Sequence, residues 1–304
     1  EPDLHEREYL GLKDSTYPSV VDLATRQYQF DLFNAVNANP LTADKPVLSP
    51  SQGYTPSTRV LGDIPFDVIG FHRYAGGINN PETLNMDGED FFDLSAISHT
   101  GDEPIWLTET GYNTAEQEVH PKLGVSDAAQ AKYLTRGLAD AFMQGVDRTY
   151  LYELADEGTD ETDMEDHFGI VEYQSDPTGA LTLKPAGESL KRLIDHLNDS
   201  VSSNFTPGEL DFTIDAGSAD ISNLRYLLLE ENDGAGTFNL LIWQEVNSYD
   251  AANQQEINNP PLNVTIRFND TISSAAVYNL NSDTAVSSYG STKVVSVAVP
   301  DEIM

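Results

Sequence analysis

The spacing of hydrophobic and polar residues changes character near residue 200. Before that point, dense apolar runs such as FDVIGFHRY (66–74), PIWLTE (104–109) and RTYLYEL (148–154) alternate with segments whose apolar residues recur every three or four positions. The runs are typical of strands buried on both faces, and the other segments are typical of amphipathic helices. This alternation predicts βαβ units and a parallel sheet covered by helices.

Segments with helical spacing are found at 21–36, 91–99, 126–145 and 183–199. Ser126 is a candidate N-cap for the third, which Gly145 closes, and Pro185 is tolerated in the first turn of the last. A short additional strand, KPVLSPS (45–51), is predicted ahead of the run at 66–74.

Beyond the polar bridge at 199–212, short alternating runs follow one another without helical spacing. Turn residues separate them at the intervals expected of an antiparallel β-sandwich. We therefore predict two domains, an α/β domain over residues 1–200 and an all-β sandwich over 208–304. Trp243 is expected in the core of the second domain.

Acidic residues dominate the charge of the chain, with 50 Asp and Glu against 16 Lys and Arg and a net charge of −34. Nucleic-acid and anionic-membrane partners are disfavoured, because phosphate binding needs Lys and Arg. Membrane insertion is not expected either, since no apolar run approaches the about 20 residues that a spanning helix needs. A carboxylate-covered surface is typical of life in high salt, and an acidic mesophilic protein is the alternative.

Metal and cofactor chemistry has little support in the sequence. The absence of cysteine excludes disulfides and thiolate zinc sites. The acidic loop DEGTDETDMED (156–166) offers oxygen donors for calcium, but its spacing misses the EF-hand pattern. Surface acidity explains the loop better, and we predict no metal and no cofactor.

Three successive predicted strands end in residues capable of chemistry. His72 and Tyr74 close the run at 66–74, Glu109 closes PIWLTE, and Tyr152 with Glu153 lies at the end of the next strand. In a parallel barrel, side chains at the carboxyl ends of strands build the active site. A carboxylate beside imidazole and aromatic groups suits sugar binding and glycosyl transfer, whereas an ordinary solvated Glu109 is the alternative.

The strings HRY, TETGY, YEL, HFGIV and LKPAGESL, in this order, resemble the second half of the retaining (β/α)8-barrel glycoside hydrolases, close in style to families 5 and 39. In that clan the nucleophile is a Glu at the end of strand seven. The acid/base is a Glu at the end of strand four, within an Asn-Glu-Pro signature. The resemblance implies that Glu109 is the nucleophile and that Glu1, followed by Pro2, is the acid/base.

The same resemblance implies a fold in which residues 1–200 are the C-terminal half of a (β/α)8 TIM barrel, from the end of strand four through helix eight. Strands one to four would then lie upstream of Glu1. Tyr74 would hydrogen bond the nucleophile and His72 would help hold catalytic or substrate hydroxyls. Tyr152 and Glu153 would contribute to substrate binding.

The expected function is retaining hydrolysis of O-glycosidic bonds in an oligo- or polysaccharide, by double displacement. We expect secretion, with a cytoplasmic location in a salt-adapted cell left open. The alternative function is a non-catalytic carbohydrate-binding or surface protein that keeps the barrel scaffold. Sugar identity, linkage and oligomeric state are not specified by these patterns.

Overall fold

The computed structural model describes residues 18–51, 61–82, 102–115, 123–176, 178–198, 205–232, 236–280 and 284–304. Its α-helices are α1 (Pro18–Ala38), α2 (Asp127–Met143) and α3 (Pro185–Leu197), and a short 3₁₀ helix covers Met164–His167. Its first three strands are β1 (Ile69–His72), β2 (Ile105–Thr110) and β3 (Arg148–Leu151). The helix predicted at 91–99 lies outside the described residues.

A parallel sheet is formed by β1, β2 and β3 in that order. The segment predicted as a strand at 45–51 contributes one parallel bridge, between Leu48 and Val68. Pro46 and Pro50 flank that bridge, and neither has a backbone N–H to donate to a ladder. The described residues thus contain an open parallel sheet and no closed barrel, and the half-barrel interpretation stays a prediction.

Helices α2 and α3 begin where their sequences indicate. The Ser126 hydroxyl accepts the N–H of Ala129 at 3.0 Å, which satisfies one of the free donors of the first turn of α2. Gly145 follows α2 with a φ of 88°, a left-handed conformation that glycine adopts without penalty. Helix α3 begins at Pro185, whose missing N–H costs nothing in a first turn.

The remainder of the chain is antiparallel, in several small sheets. The largest sheet has the order β12–β9–β4, and the pairs β5–β6, β7–β8 and β10–β11 form the others. The strands are β4 (Phe212–Asp215), β5 (Leu224–Glu230), β6 (Phe238–Gln244), β7 (Tyr249–Asp250), β8 (Gln255–Glu256), β9 (Leu262–Ile272), β10 (Ala275–Val277), β11 (Ser287–Tyr289) and β12 (Thr292–Val299). The predicted all-β region is therefore present, and its arrangement as a sandwich stays a prediction.

Alternation along β9 and β12 creates the core of this region. Val264 and Ile266 of β9 are buried at every second position, as are Val295 and Val297 of β12. Ile242 of β6 belongs to the same buried cluster. Burial of these side chains is the main favourable contribution to the stability of the region.

A dry ion pair, which we call the Arg136–Glu82 pair, lies beside Trp243. The Arg136 guanidinium donates two hydrogen bonds to the Glu82 carboxylate, at 2.7 and 2.6 Å. The Trp243 indole N–H donates to the same carboxylate at 3.0 Å. Arg136 also donates to the carbonyl oxygens of Val246 and Asp301. Trp243 is fully buried as predicted, and these donors compensate the cost of burying Glu82.

By its internal contacts the chain divides into two compact units. The first is Glu1–Tyr74, Asp87–Gly111 and Ala141–Tyr152, and the second is Ala75–Met86, Tyr112–Asp140 and Glu153–Met304. Among the described residues, no helix has the length and apolarity required to span a bilayer.

Candidate active site

The first unit brings His72 and Glu109 into contact at the ends of adjacent parallel strands. His72 is the last residue of β1, Glu109 is the fifth residue of β2, and the two are paired in the ladder. Nδ1 of His72 lies 2.7 Å from Oε2 of Glu109. The side chains are 16 % and 22 % exposed, respectively, so the pair is sheltered but remains within reach of solvent.

A β-bulge in β2 creates this pairing. Phe71 is opposite Leu107, but the next residue of β1, His72, is opposite Glu109, so Thr108 is an extra residue on β2. In a regular ladder, Glu109 would share the face of the buried Leu107, because side chains alternate along a strand. The bulge moves the carboxylate away from the Leu107 face and beside the imidazole.

Tyr74 also donates a hydrogen bond to the Glu109 carboxylate. Burial raises the pKa of Glu109, but hydrogen bonds from His72 and Tyr74 and the charge of His72 outweigh it, so the pKa lies below its usual value. Glu109 is therefore ionised at neutral pH. An ionised carboxylate that is hydrogen-bonded and still reachable can act as a nucleophile.

Tyr152 is located by the next strand of the same sheet. Its backbone N–H donates to the carbonyl of Thr110 at 2.8 Å, which extends the pairing of β2 and β3 by one residue. Tyr152 is thus held at the carboxyl end of the parallel sheet, the position predicted for it. Its role in substrate binding stays a prediction.

Glu153 belongs to the second unit and has a different electrostatic environment. Burial, with Glu157, Glu165 and Asp156 as further causes, raises the pKa of Glu153 to about 7. Its Oε1 atom is buried and has no hydrogen-bond partner in the described part of the chain. Glu153 can therefore carry a proton at neutral pH, in contrast to Glu109, and its assignment to substrate binding stays a prediction. Glu1, the predicted acid/base, lies outside the described residues.

A buried lysine that sequence reasoning did not single out connects two of the sequence strings, LKPAGESL and HFGIV, through Asp156. Lys184 of LKPAGESL donates to the Asp156 carboxylate at 3.2 Å and to the Thr114 hydroxyl at 2.9 Å. The backbone N–H of Gly169, in HFGIV, donates to Asp156 at 2.8 Å. Burial raises the pKa of Asp156 despite the lysine. This arrangement fixes the chain that follows β3, and a Lys followed by Pro at a helix start was its only sequence signal.

The acidic loop at 156–166 is closed by its own hydrogen bonds. Asp163 caps the 3₁₀ helix by accepting the N–H of Glu165, and Asp166 accepts the N–H of Asp160. Across the described ranges, no three His, Asp or Glu side chains are placed to share a metal ion.

No protein-family model and no curated sequence matches this chain. Among solved structures, it is similar to a family 39 glycoside hydrolase from the gut symbiont Bacteroides cellulosilyticus WH2, with 13 % identity, a TM-score of 0.45, and coverage of 78 % of this chain and 43 % of that one. It is also similar to a family 17 β-1,3-glucanosyltransferase from Rhizomucor miehei, with 16 % identity, a TM-score of 0.35, and coverage of 55 % and 57 %.

A putative β-galactosidase from Bacteroides fragilis matches with 13 % identity, a TM-score of 0.38, and coverage of 85 % of this chain and 37 % of that one. The chain spans less than half the length of the family 39 structure. These structural neighbours are glycoside hydrolases and a glucanosyltransferase. All three TM-scores lie below 0.5, so the likeness is partial.

Proposed function

We propose that the protein is a retaining glycoside hydrolase in which Glu109 is the nucleophile. The observation that carries this proposal is the Glu109 carboxylate, hydrogen-bonded by His72 and Tyr74 at the end of a parallel strand and kept ionised by a lowered pKa. The order of the sequence strings around these residues supports the same reaction class. The first step of a double displacement requires an ionised carboxylate, and the carboxyl end of a parallel strand is where active-site side chains are found in barrels.

In the first step, an oxygen of Glu109 attacks the anomeric carbon while the bond to the leaving oxygen breaks and an acid donates a proton to that oxygen. In the second step, water attacks the glycosyl ester, a base removes a proton from the water, and Glu109 leaves as a carboxylate. We propose Glu1 as the acid/base. A retaining reaction would place its carboxyl group about 5 to 5.5 Å from that of Glu109.

Replacement of the nucleophile is the direct test. With 2,4-dinitrophenyl β-glycosides as substrates, Glu109→Gln should lower kcat by about 10⁴-fold or more, because a neutral amide cannot form the glycosyl ester. Glu209→Gln is the matched control, since it removes an exposed carboxylate from the all-β region and should leave kcat unchanged. Undiminished hydrolysis by Glu109→Gln would refute the nucleophile assignment.

Stereochemistry and covalent trapping test the mechanism separately. The first-formed sugar, followed by proton NMR, should keep the anomeric configuration of the substrate. A 2-deoxy-2-fluoro glycoside should add one sugar mass to the peptide that contains Glu109. An inverted product, or a label on another peptide, would contradict double displacement at Glu109.

The acidic surface and the place of action remain proposals of their own. We propose secretion into a salty medium, where counterions screen the repulsion among the carboxylates. The midpoint of thermal unfolding should then rise between 0.1 M and 2 M NaCl. A midpoint that stays constant or falls would favour an acidic protein from an ordinary environment.

A further inference from the structure

The bulge that pairs Glu109 with His72 is seen from both neighbouring strands. Against β1, one step from Phe71 to His72 corresponds to two steps from Leu107 to Glu109. Against β3, two steps from Thr149 to Leu151 correspond to three from Leu107 to Thr110. Each neighbour therefore counts one extra residue on β2, between Leu107 and Thr110.

A chain of two hydroxyl groups occupies the bulge. The Thr108 hydroxyl donates to the carbonyl oxygen of Phe71 at 3.0 Å, and it lies 2.9 Å from the hydroxyl of Ser51. A hydroxyl has one hydrogen, so Thr108 accepts from Ser51 while it donates to Phe71. The side chain of Thr108 thus links β2 to β1 at the point where the backbone register changes.

We infer that Thr108 is a positioning residue that holds the bulge, with Ser51 as its support, and this inference rests on the proposed role of Glu109. Without the extra residue, the register would place Thr108 opposite His72 and turn Glu109 toward the face of Leu107. The hydroxyl chain favours the bulged register, because the Thr108 hydroxyl binds the Phe71 carbonyl of β1 at the point where the register changes. The backbone N–H of Arg73 then donates to the carbonyl of Glu109 at 3.0 Å, just beyond the bulge.

Three variants separate the hydroxyl from the volume of the side chain. Thr108→Val keeps the shape and the strand preference but removes the hydroxyl. Thr108→Ser restores the hydroxyl on a smaller side chain. Ser51→Ala removes only the outer donor and leaves β2 unchanged. Thermal unfolding of each variant identifies any that fails to fold, in which case Ser51→Ala carries the test.

The first readout is kinetic. Thr108→Val should lower kcat by about 10- to 100-fold with KM unchanged within about twofold, because a misplaced nucleophile affects the chemical step more than binding. Thr108→Ser should recover kcat to within about threefold of the original protein, and Ser51→Ala should lie between the two. A kcat of Thr108→Val within about twofold of the original protein would show that the hydroxyl is not needed, and would overturn the inference.

The second readout does not depend on catalysis. The protein has six histidines, so ¹⁵N NMR can resolve the Nδ1 signal of His72, assigned by its loss in His72→Gln. Glu109→Gln should shift this signal strongly in the original protein and by less than about half as much in the Thr108→Val background.

An unchanged response to Glu109→Gln in the Thr108→Val background would overturn the positioning role, whatever the protein hydrolyses. If the response is lost as expected but Glu109→Gln hydrolyses normally, the positioning role stands and the proposed function fails. The two ideas can therefore be rejected independently.

Discussion

Two carboxylates of this protein, Glu82 and Glu109, each accept a hydrogen bond from a basic side chain but differ in their exposure to solvent. Glu82 accepts two hydrogen bonds from Arg136 and one from Trp243, and the side chains of the pair are 1 % and 0 % exposed. Glu109 is held by His72 and Tyr74, and the side chains of Glu109 and His72 remain 22 % and 16 % exposed. The first carboxylate is enclosed on all sides, whereas the second keeps a path to solvent.

The difference in exposure shows that a reactive carboxylate needs both hydrogen-bond donors and an accessible side. A buried carboxylate must be ion-paired to offset its desolvation, and an enclosed partner such as Arg136 leaves no room for another molecule. At the end of a parallel strand, donors can approach from one side while the other side stays accessible. The comparison therefore separates a carboxylate that stabilises the fold from one that can do chemistry.

The largest expected effect is on the enclosed pair. Arg136→Met should lower the free energy of unfolding by about 3–5 kcal/mol, because it leaves a charged Glu82 buried without its partner. Urea unfolding at pH 7 measures this effect. The double variant Arg136→Met/Glu82→Gln should recover part of the loss, since the uncompensated charge is gone.

Glu109→Gln is the matched change at the solvent-accessible pair of Glu109 and His72, which we call the open site. It should alter the free energy of unfolding by less than about 1 kcal/mol. If Arg136→Met costs no more than this, the enclosed pair does not stabilise the fold and the comparison fails.

Asp140 should make the stability of the second unit depend on pH. Burial raises its pKa to about 7, with Glu82 and Glu245 as further causes. Between the unfolded pKa near 4 and this value, the folded state binds more protons than the unfolded state, so stability falls as pH rises through that window and is constant above it. The total fall is at most about 4 kcal/mol.

Asp140→Asn should remove that fall, so the variant gains stability over the original protein at pH 8 but not at pH 4. Urea unfolding at the two pH values measures the difference. Asp44→Asn, which changes an exposed carboxylate, is the control and should match the original protein at both. An Asp140→Asn variant with the original pH profile would show that Asp140 stays ionised.

The strand-end residues could be predicted from the sequence because of a simple property of parallel sheets. Strands that run in the same direction end at the same edge, so His72, Tyr74 and Glu109 were expected to lie close together, and the structure places them so. The residues that begin and end α2, Ser126 and Gly145, could also be predicted, because a helix cap depends only on residues next to it in the sequence.

The bulge and the enclosed pair could not be predicted in this way. Thr108 looks like any other residue of a buried strand, and its role depends on how β2 pairs with both neighbours. Glu82 and Arg136 are 54 residues apart, and Glu82 lies in a segment without periodicity. Tertiary packing alone brings them together, so no local pattern records their contact.

Loss of one partner should have a smaller effect at the open site than at the Arg136–Glu82 pair. His72→Gln removes a hydrogen bond and a charge that lower the pKa of Glu109, so this pKa should rise. Glu109 contributes stability above its unfolded pKa that is lost as pH falls through its folded pKa, and the variant should lose this stability at a higher pH. The acid limb of kcat/KM should move to higher pH, because a protonated Glu109 cannot act as the nucleophile. An unmoved acid limb would mean that His72 does not tune Glu109.

The smallest effect is expected where both members of an ion pair are in water. Lys191 and Asp195 of α3 lie 2.6 Å apart and are 61 % and 60 % exposed. Water screens such a pair, and holding two flexible side chains costs entropy, so Lys191→Ala should change the free energy of unfolding by less than about 0.5 kcal/mol. Urea unfolding should give the same small change, within error, in 0.05 M and in 1 M NaCl. A loss above about 2 kcal/mol would show that distance alone governs these pairs, and enclosure would no longer explain why Arg136 and Lys191 differ.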